Sequence, residues 1–232
     1  MISEVHNVDC LEYMRQFPDK YFDLAVVDPP YGLGMSNRKE IGGGKKAKTT
    51  KFEKKAWDSA TPDPEYFEEL IRVSKNQIVF GANHFISRLP FDSACWIVWD
   101  KENGGTDFAD CELAWTSFKT AVRKFTFRWN GMLQGNMKNK EVRIHPTQKP
   151  VALYAWIFEN YAKPGDRILD THLGSGSSRI AAAKKGLDFY GCELDKEYFD
   201  KMEQRFQEEI NGIQVIGNTT IQQTNLFNNH LF

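Results

Sequence analysis

"RILDTHLGSGSSRIAAAKKG", residues 167–186, decides the fold. It opens with a short apolar run that ends at Asp170. Gly174 and Gly176 follow in a serine-rich turn, and an alanine-rich helical stretch then closes at Gly186, a natural C-terminal cap. Strand, glycine turn and helix in that order make one unit of an α/β sandwich. Absent side chains at the two glycines let a ligand lie against the backbone near the helix N-terminus. Arg179 stands where the dinucleotide fingerprint would carry its third glycine. The next apolar run, "FYGCEL" (189–194), brings Glu193 to 19 residues beyond Gly174, about the spacing at which an acidic side chain takes ribose hydroxyls. These features describe an adenosine-type pocket without a pyrophosphate cradle.

The same alternation runs through the chain. Strand-like runs occupy 21–28, 76–83, 95–100 and 111–118, and "SEVHNVD" reads as another near the start. Helical patterns cover 63–75, 149–163 and 196–210, the second with Pro150 near its first turn. The expected fold is a mostly parallel sheet with helices on both faces. Because 95–118 has no intervening helix, an antiparallel hairpin is expected at one sheet edge. The 232 residues suffice for one large domain, here 1–212, followed by a polar tail, 213–232. No apolar stretch is long enough for a membrane span. Cys10, Cys95, Cys111 and Cys192 are scattered without metal-ligand spacing, so no metal is expected. A cytoplasmic location is the expectation.

"DLAVVDPPYGLG" (23–34) ends a strand on two prolines, which can extend neither a ladder nor a helix. The stop displays Asp28 and Tyr31. Two cationic segments break the neutral background of net charge −1. The glycine-rich stretch 32–55 holds eight Lys/Arg against two Glu, among them Arg38, Lys39, Lys45 and Lys46. The stretch 119–143 holds seven basic residues against one acidic, interleaved with Phe125, Phe127 and Trp129. Such composition suits phosphates and bases.

"DPPY" (28–31), "HPTQKP" (145–150) and "LDTHLGSGSS" with "CELD" (169–178, 192–195) together resemble an S-adenosylmethionine-dependent DNA amino-methyltransferase of the β group, across about residues 3–206. The resemblance implies a Rossmann-like methyltransferase fold, S-adenosylmethionine as cofactor and double-stranded DNA as partner. It implies catalysis by Asp28, Pro29, Pro30 and Tyr31. The Asp28 carboxylate and Pro29 carbonyl would grip a base amine, and Tyr31 would stack on a base swung out of the duplex. By similarity, Asp170, Thr171 and the Gly174–Ser175–Gly176 turn would hold the methionine part. Glu193, with Leu194 beside it, would take the ribose, and Asp9, with Cys10, would lie near the adenine ring. Lys149, in a turn with His145 and Thr147, would sit by the methionine carboxylate. Asp9 has a second reading as a helix N-cap, and Lys149 one as a solvated charge. Where the family usually reads Asp-Pro-Phe, this chain has Asp170-Thr171-His172.

Asp-Pro-Pro-Tyr is typical of adenine-N6 enzymes, with cytosine-N4 transfer and a catalytically weak DNA-binding module as alternatives. The 119–144 segment is the expected DNA reader, through Arg123, Lys124, Arg128, Asn130 and Gln134. In the tail, "QTNLF" (223–227) resembles the peptide that docks on the bacterial sliding clamp, with Gln223, Leu226 and Phe227 as its contacts. Packing of that peptide on the domain or in a homodimer is the competing reading. A bacterial or phage-infected cell, with the protein at its nucleoid, is the setting these resemblances imply.

Overall fold

The computed structural model describes residues 1–34, 40–41, 50–51, 55, 58–104, 109–130, 133–216 and 219–222. Eight strands form the main sheet: β1 (Ser3–His6), β2 (Phe22–Val27), β3 (Ser74–Phe80), β4 (Trp96–Asp100), β5 (Cys111–Thr116), β6 (Arg123–Thr126), β7 (Arg167–Asp170) and β8 (Asp188–Cys192). Their spatial order is β1-β8-β7-β2-β3-β5-β4-β6. β1, β8, β7, β2 and β3 run parallel, and β5 lies antiparallel against both β3 and β4. The hairpin is therefore present, but one strand further in than expected. β6 pairs parallel with β4 and forms the true edge.

Helices α1 (Cys10–Met14), α2 (Pro64–Val73), α3 (Val151–Tyr161), α4 (Ser177–Lys184) and α5 (Lys196–Asn211) cover the two faces. β2 is almost wholly apolar because both its faces are buried. Leu24 and Val26 pack with Leu153, Ile157 and Met202 of α3 and α5, whereas Ala25 and Val27 pack with Tyr66, Leu70 and Val73 of α2. This period-two division sends successive side chains into opposite cores. Phe125 and Phe127 belong to the first of these cores, Phe125 lying 5.4 Å from the Trp156 ring. Their interleaving with basic residues reflects a strand with one inward face, which corrects the expectation of a base-stacking surface there.

Gly186 and Gly212 both adopt positive φ just beyond α4 and α5. Gly176, also at positive φ, caps α4 at its start, and a Cβ there would lie 2.4 Å from Met202 Cγ. Arg179, in the missing-glycine position, is buried. It donates to Ser3 Oγ at 3.0 Å, lies 3.8 Å from the Phe206 ring centre and pairs with Glu203. The helix is thus anchored to β1 and α5 by a side chain, not by close glycine contact.

Residues 213–216 and 219–222, expected as polar tail, form a two-stranded antiparallel pair. Arg205 of α5 fastens three segments together. It donates to Ser175 O and Ser177 Oγ at 3.0 Å each, and to Glu141 Oε2 at 2.8 Å. Glu141 in turn accepts from the Val151 amide at the start of α3, at 2.9 Å. Breaking a buried ion pair leaves its partner charge uncompensated. Arg205→Met is therefore expected to lose about 3 kcal/mol of stability in urea unfolding.

Candidate active site

The carboxyl ends of β1, β2, β7 and β8 converge on one cavity of about 310 Å³, the place where open α/β sheets bind ligands. Of the twelve residues expected at the cofactor, Asp9, Cys10, His145, Thr147, Lys149, Thr171, Gly174, Ser175, Glu193 and Leu194 line it. Asp170 and Gly176 do not. The Asp170 carboxylate is turned inward, accepting from Ser178 Oγ at 2.6 Å and from the His172 amide at 3.0 Å. Burial pushes this carboxyl up to about 7 against those two donors. Asp170 and Gly176 therefore shape the glycine turn from behind, a correction to direct cofactor contact.

Glu193 faces the turn more directly. Its Oε2 accepts from the Gly174 amide at 2.8 Å, and its Oε1 from the Asp195 amide at 2.9 Å. Burial raises its carboxyl nonetheless. Asp9 fulfils its helix-capping reading, since Oδ1 accepts from the Leu11 and Glu12 amides at 2.8 and 3.2 Å. It lines the cavity as well, so the two readings are compatible. Cys10 is an inert lining group, its thiol pushed up to about 12 by burial and by Asp9.

Another wall of the cavity is built around Asp28, which lines it together with Pro30. Asp28 Oδ1 accepts from Tyr31 Oη at 2.6 Å and Oδ2 from Lys149 Nζ at 2.5 Å. Burial raises the Asp28 carboxyl, and the Lys149 ammonium opposes the shift. The resemblance puts Lys149 beside a methionine carboxylate, but here its charge is held between protein carboxylates. A second, Glu112 Oε2, lies 3.1 Å from Nζ on the other side, and Lys149 itself is only 4% exposed. Pro29 is buried and does not line the cavity. Tyr31 stacks on His84, with ring centres 5.0 Å apart and planes at 17°. That stacking occupies one face of the ring expected to receive a base. Asp58, buried and unremarked in the sequence, sets the turn by accepting from the Tyr31 and Gly32 amides at 3.0 and 2.9 Å.

Sequence reasoning missed Asp58, Glu112, Lys101, Tyr66 and His84. The Tyr66 hydroxyl lies 2.7 Å from Thr171 Oγ1, which in turn lies 2.9 Å from His172 Nδ1. Glu112 did carry a signal, being a charge within the apolar run "CELAWTSF". Asp58 sits in a polar stretch and carried none. On the expected DNA face, Arg123, Lys124 and Arg128 are exposed and Asn130 is partly buried. Lys124 pairs with Asp100 at 3.3 Å. Gln134 is corrected: it is 7% exposed, and its amide is used on the Glu141 backbone at 2.8 and 2.9 Å. Arg38, Lys39, Lys45, Lys46, Gln223, Leu226 and Phe227 lie outside the described residues.

This sheet order, with a nucleoside-sized cavity at its carboxyl edge and an aspartate beside it, is a Rossmann-like fold of the kind methyltransferases use. Residues 97–204 match the N6/N4 family described as DNA methylase. The type II methyltransferase M.HinfI of Haemophilus influenzae is 25% identical over 251 residues, covering 89% of this chain and 69% of that protein. M1.MboII of Moraxella bovis is 24% identical over 265 residues, covering 86% and 95%. Among solved structures, the M1.HpyAVI–SAM complex aligns with a TM-score of 0.53 at 21% identity, covering 88% of this chain and 100% of that one. The cytosine-N4-specific PvuII DNA methyltransferase aligns at 0.56 with 14% identity, covering 93% and 95%. Nearly half of the chain thus matches the N6/N4 DNA methylase family model, and the curated relatives it resembles over most of its length are type II methyltransferases.

Two outcomes follow from this packing. A Cβ at Gly81, which has φ +66°, would fall 1.9 Å from the Tyr31 ring. Gly81→Ala is therefore expected to displace Tyr31 and cost about 1–3 kcal/mol in chemical unfolding. Burial also holds His172 down to about 4 and His145 to about 3, against 6.5 when unfolded. The unfolded chain thus binds more protons below 6.5, and stability is lost as pH falls from there toward 4. His172→Phe is expected to flatten that slope, measured by urea unfolding at about pH 7 and about pH 5.

Proposed function

We propose that this chain transfers a methyl group from S-adenosylmethionine to the N6 amine of an adenine swung out of double-stranded DNA at a specific site. The observation that carries the reading is Asp28 opening onto the same cavity as Glu193 and the Gly174 turn. S-adenosylmethionine supplies a methyl already activated on a sulfonium. When bound, it would supply that methyl carbon to the amine nitrogen, the carbon–sulfur electron pair remaining on sulfur. Glu193, Asp9 and the Gly174–Ser175 turn would hold that cofactor, in keeping with their positions on the cavity wall.

The protein's own work is to grip and orient the amine. An exocyclic base amine is a weak nucleophile because its lone pair is delocalised into the ring. A hydrogen bond from the amine to Asp28 favours a pyramidal nitrogen with that pair free. The prolines after Asp28 hold the acceptor in place, and the Asp58 bonds keep the turn from relaxing. The nitrogen becomes cationic as it is methylated and then releases one proton, for which Asp28 is the nearest placed acceptor.

An aspartate at the head of the catalytic motif supports adenine over cytosine. The fold is shared with a cytosine-N4 enzyme, so the fold itself is neutral on the base. Exposed Arg123 and Arg128 support a DNA-facing role for the segment around β6. The tail peptide pattern at 223–227 supports a sliding-clamp partner on sequence grounds.

Tritiated S-adenosylmethionine and unmethylated duplex DNA, followed by digestion to nucleosides, test the reading. Label in N6-methyldeoxyadenosine is expected. Label in N4-methyldeoxycytidine would move the reading to cytosine, and unlabelled DNA would overturn it. Asp28→Asn is expected to reduce transfer on the order of a thousandfold while leaving cofactor binding, read by calorimetry, nearly unchanged.

A further inference from the structure

Behind the catalytic carboxylate lies a row of alternating charges that crosses four segments. Asp28 follows β2, Lys149 precedes α3, Glu112 lies in β5, and Lys101 follows β4. Lys149 Nζ is 2.5 Å from Asp28 Oδ2 and 3.1 Å from Glu112 Oε2, and Lys101 Nζ pairs with Glu112 Oε1. Glu112 Oε2 is buried and, among the described residues, accepts no hydrogen bond of good geometry; its contact with Lys149 is ionic. Lys101 lies one step further along the row, 5.0 Å from the Trp99 ring centre and 16% exposed against 4% for Lys149.

Two carboxylates thus share one buried ammonium. Had Lys149 faced Asp28 alone, the two would form a neutral pair with little field left for the substrate. Glu112 draws on the same cation, so the group of three around Lys149 carries net negative charge, which Lys101 offsets from the outer side. The reaction puts positive charge on the amine nitrogen that Asp28 holds. A fixed, partly buried negative field stabilises such a charge more strongly than the same groups would in water.

We infer that Glu112 is a positioning residue for methyl transfer: by competing for Lys149 it keeps Asp28 from being neutralised, so that the site is electronegative where the amine turns cationic. Lys101 limits that effect from the outer side. The inference rests on the methyltransferase reading given above. It also assigns the lysine of "HPTQKP" to the reacting end of the cavity. The other groups facing Asp28 are Tyr31 on its own turn, Tyr154 on α3 and Asp170 at the end of β7.

Glu112→Gln and Lys101→Met separate this role from a structural one because they push Asp28 in opposite directions. Removing the Glu112 charge gives Lys149 wholly to Asp28 and makes the carboxylate a weaker base. Removing the Lys101 charge strengthens Glu112 as a competitor and makes Asp28 a stronger one. The assay is single-turnover methylation of duplex DNA against pH, run beside wild type, with cofactor affinity and thermal unfolding measured on each protein.

Glu112→Gln is expected to slow transfer about tenfold and to move the acid limb of the rate profile down by about one pH unit. Cofactor affinity should stay within about twofold of wild type. Lys101→Met is expected to move the limb upward by a smaller amount. Its methyl-terminated chain still covers Trp99, so it tests the sign even where Glu112→Gln folds poorly. Glu112→Asp is expected to recover part of the rate. An unmoved limb in both variants, or shifts of the same sign, overturns the inference. A wild-type protein that labels no DNA overturns the methyltransferase reading itself.

Discussion

The contact between Lys149 and Asp28 is the constraint around which the site is arranged. Neither charge could be carried so deep alone, since desolvation of a lone ion costs several kcal/mol. Each is tolerated because the other is there, and because Glu112 and Tyr31 complete the set. The pair also joins two distant parts of the chain, the end of β2 and the loop before α3. The sheet supplies only the height at which these ends meet. Once joined, they leave Asp28 on one wall of the cavity and the glycine turn on another.

The glycine turn is held by different means. Gly174 gives its amide to Glu193, and Gly176 lets α5 come close enough for Met202 to fill the space a Cβ would need. Arg205 then ties the turn to Glu141, and Glu141 to the start of α3. One arginine therefore links the glycine turn to the loop that carries Lys149. The two halves of the cavity are mechanically connected, although they arise from strands at different places in the sheet.

Much of this was legible in the sequence. The glycine turn, the spacing to Glu193 and the proline stop after Asp28 each carry a local constraint, so residue type and order were enough. Patterns also placed most strands and four of the five described helices within a few residues, the fifth, α1, being signalled only by Asp9 as a possible N-cap. What failed were readings that depend on which way a side chain points. Phe125 and Phe127 looked like a stacking surface but face inward, and Gln134 looked like a base reader but braces Glu141. Asp170 looked open to a ligand and is turned to Ser178. Contacts between residues far apart in sequence, such as Glu112 with Lys149, have no local signature beyond an unexplained charge in an apolar strand.

The bond from the Gly34 amide to the Asp58 carbonyl, at 3.0 Å, has a further meaning. It brings together the two ends of the stretch numbered 35–57, and the Asp58 side chain closes the catalytic turn on the near side of that junction. The entropic cost of closing a loop grows only with the logarithm of its length, so what lies between two joined ends can be lengthened or shortened cheaply. The turn at Asp28 is thereby closed at its own base, while Lys55, within the stretch, ties back to Asp195 and Glu197 at 2.7 Å each and fastens it to the start of α5.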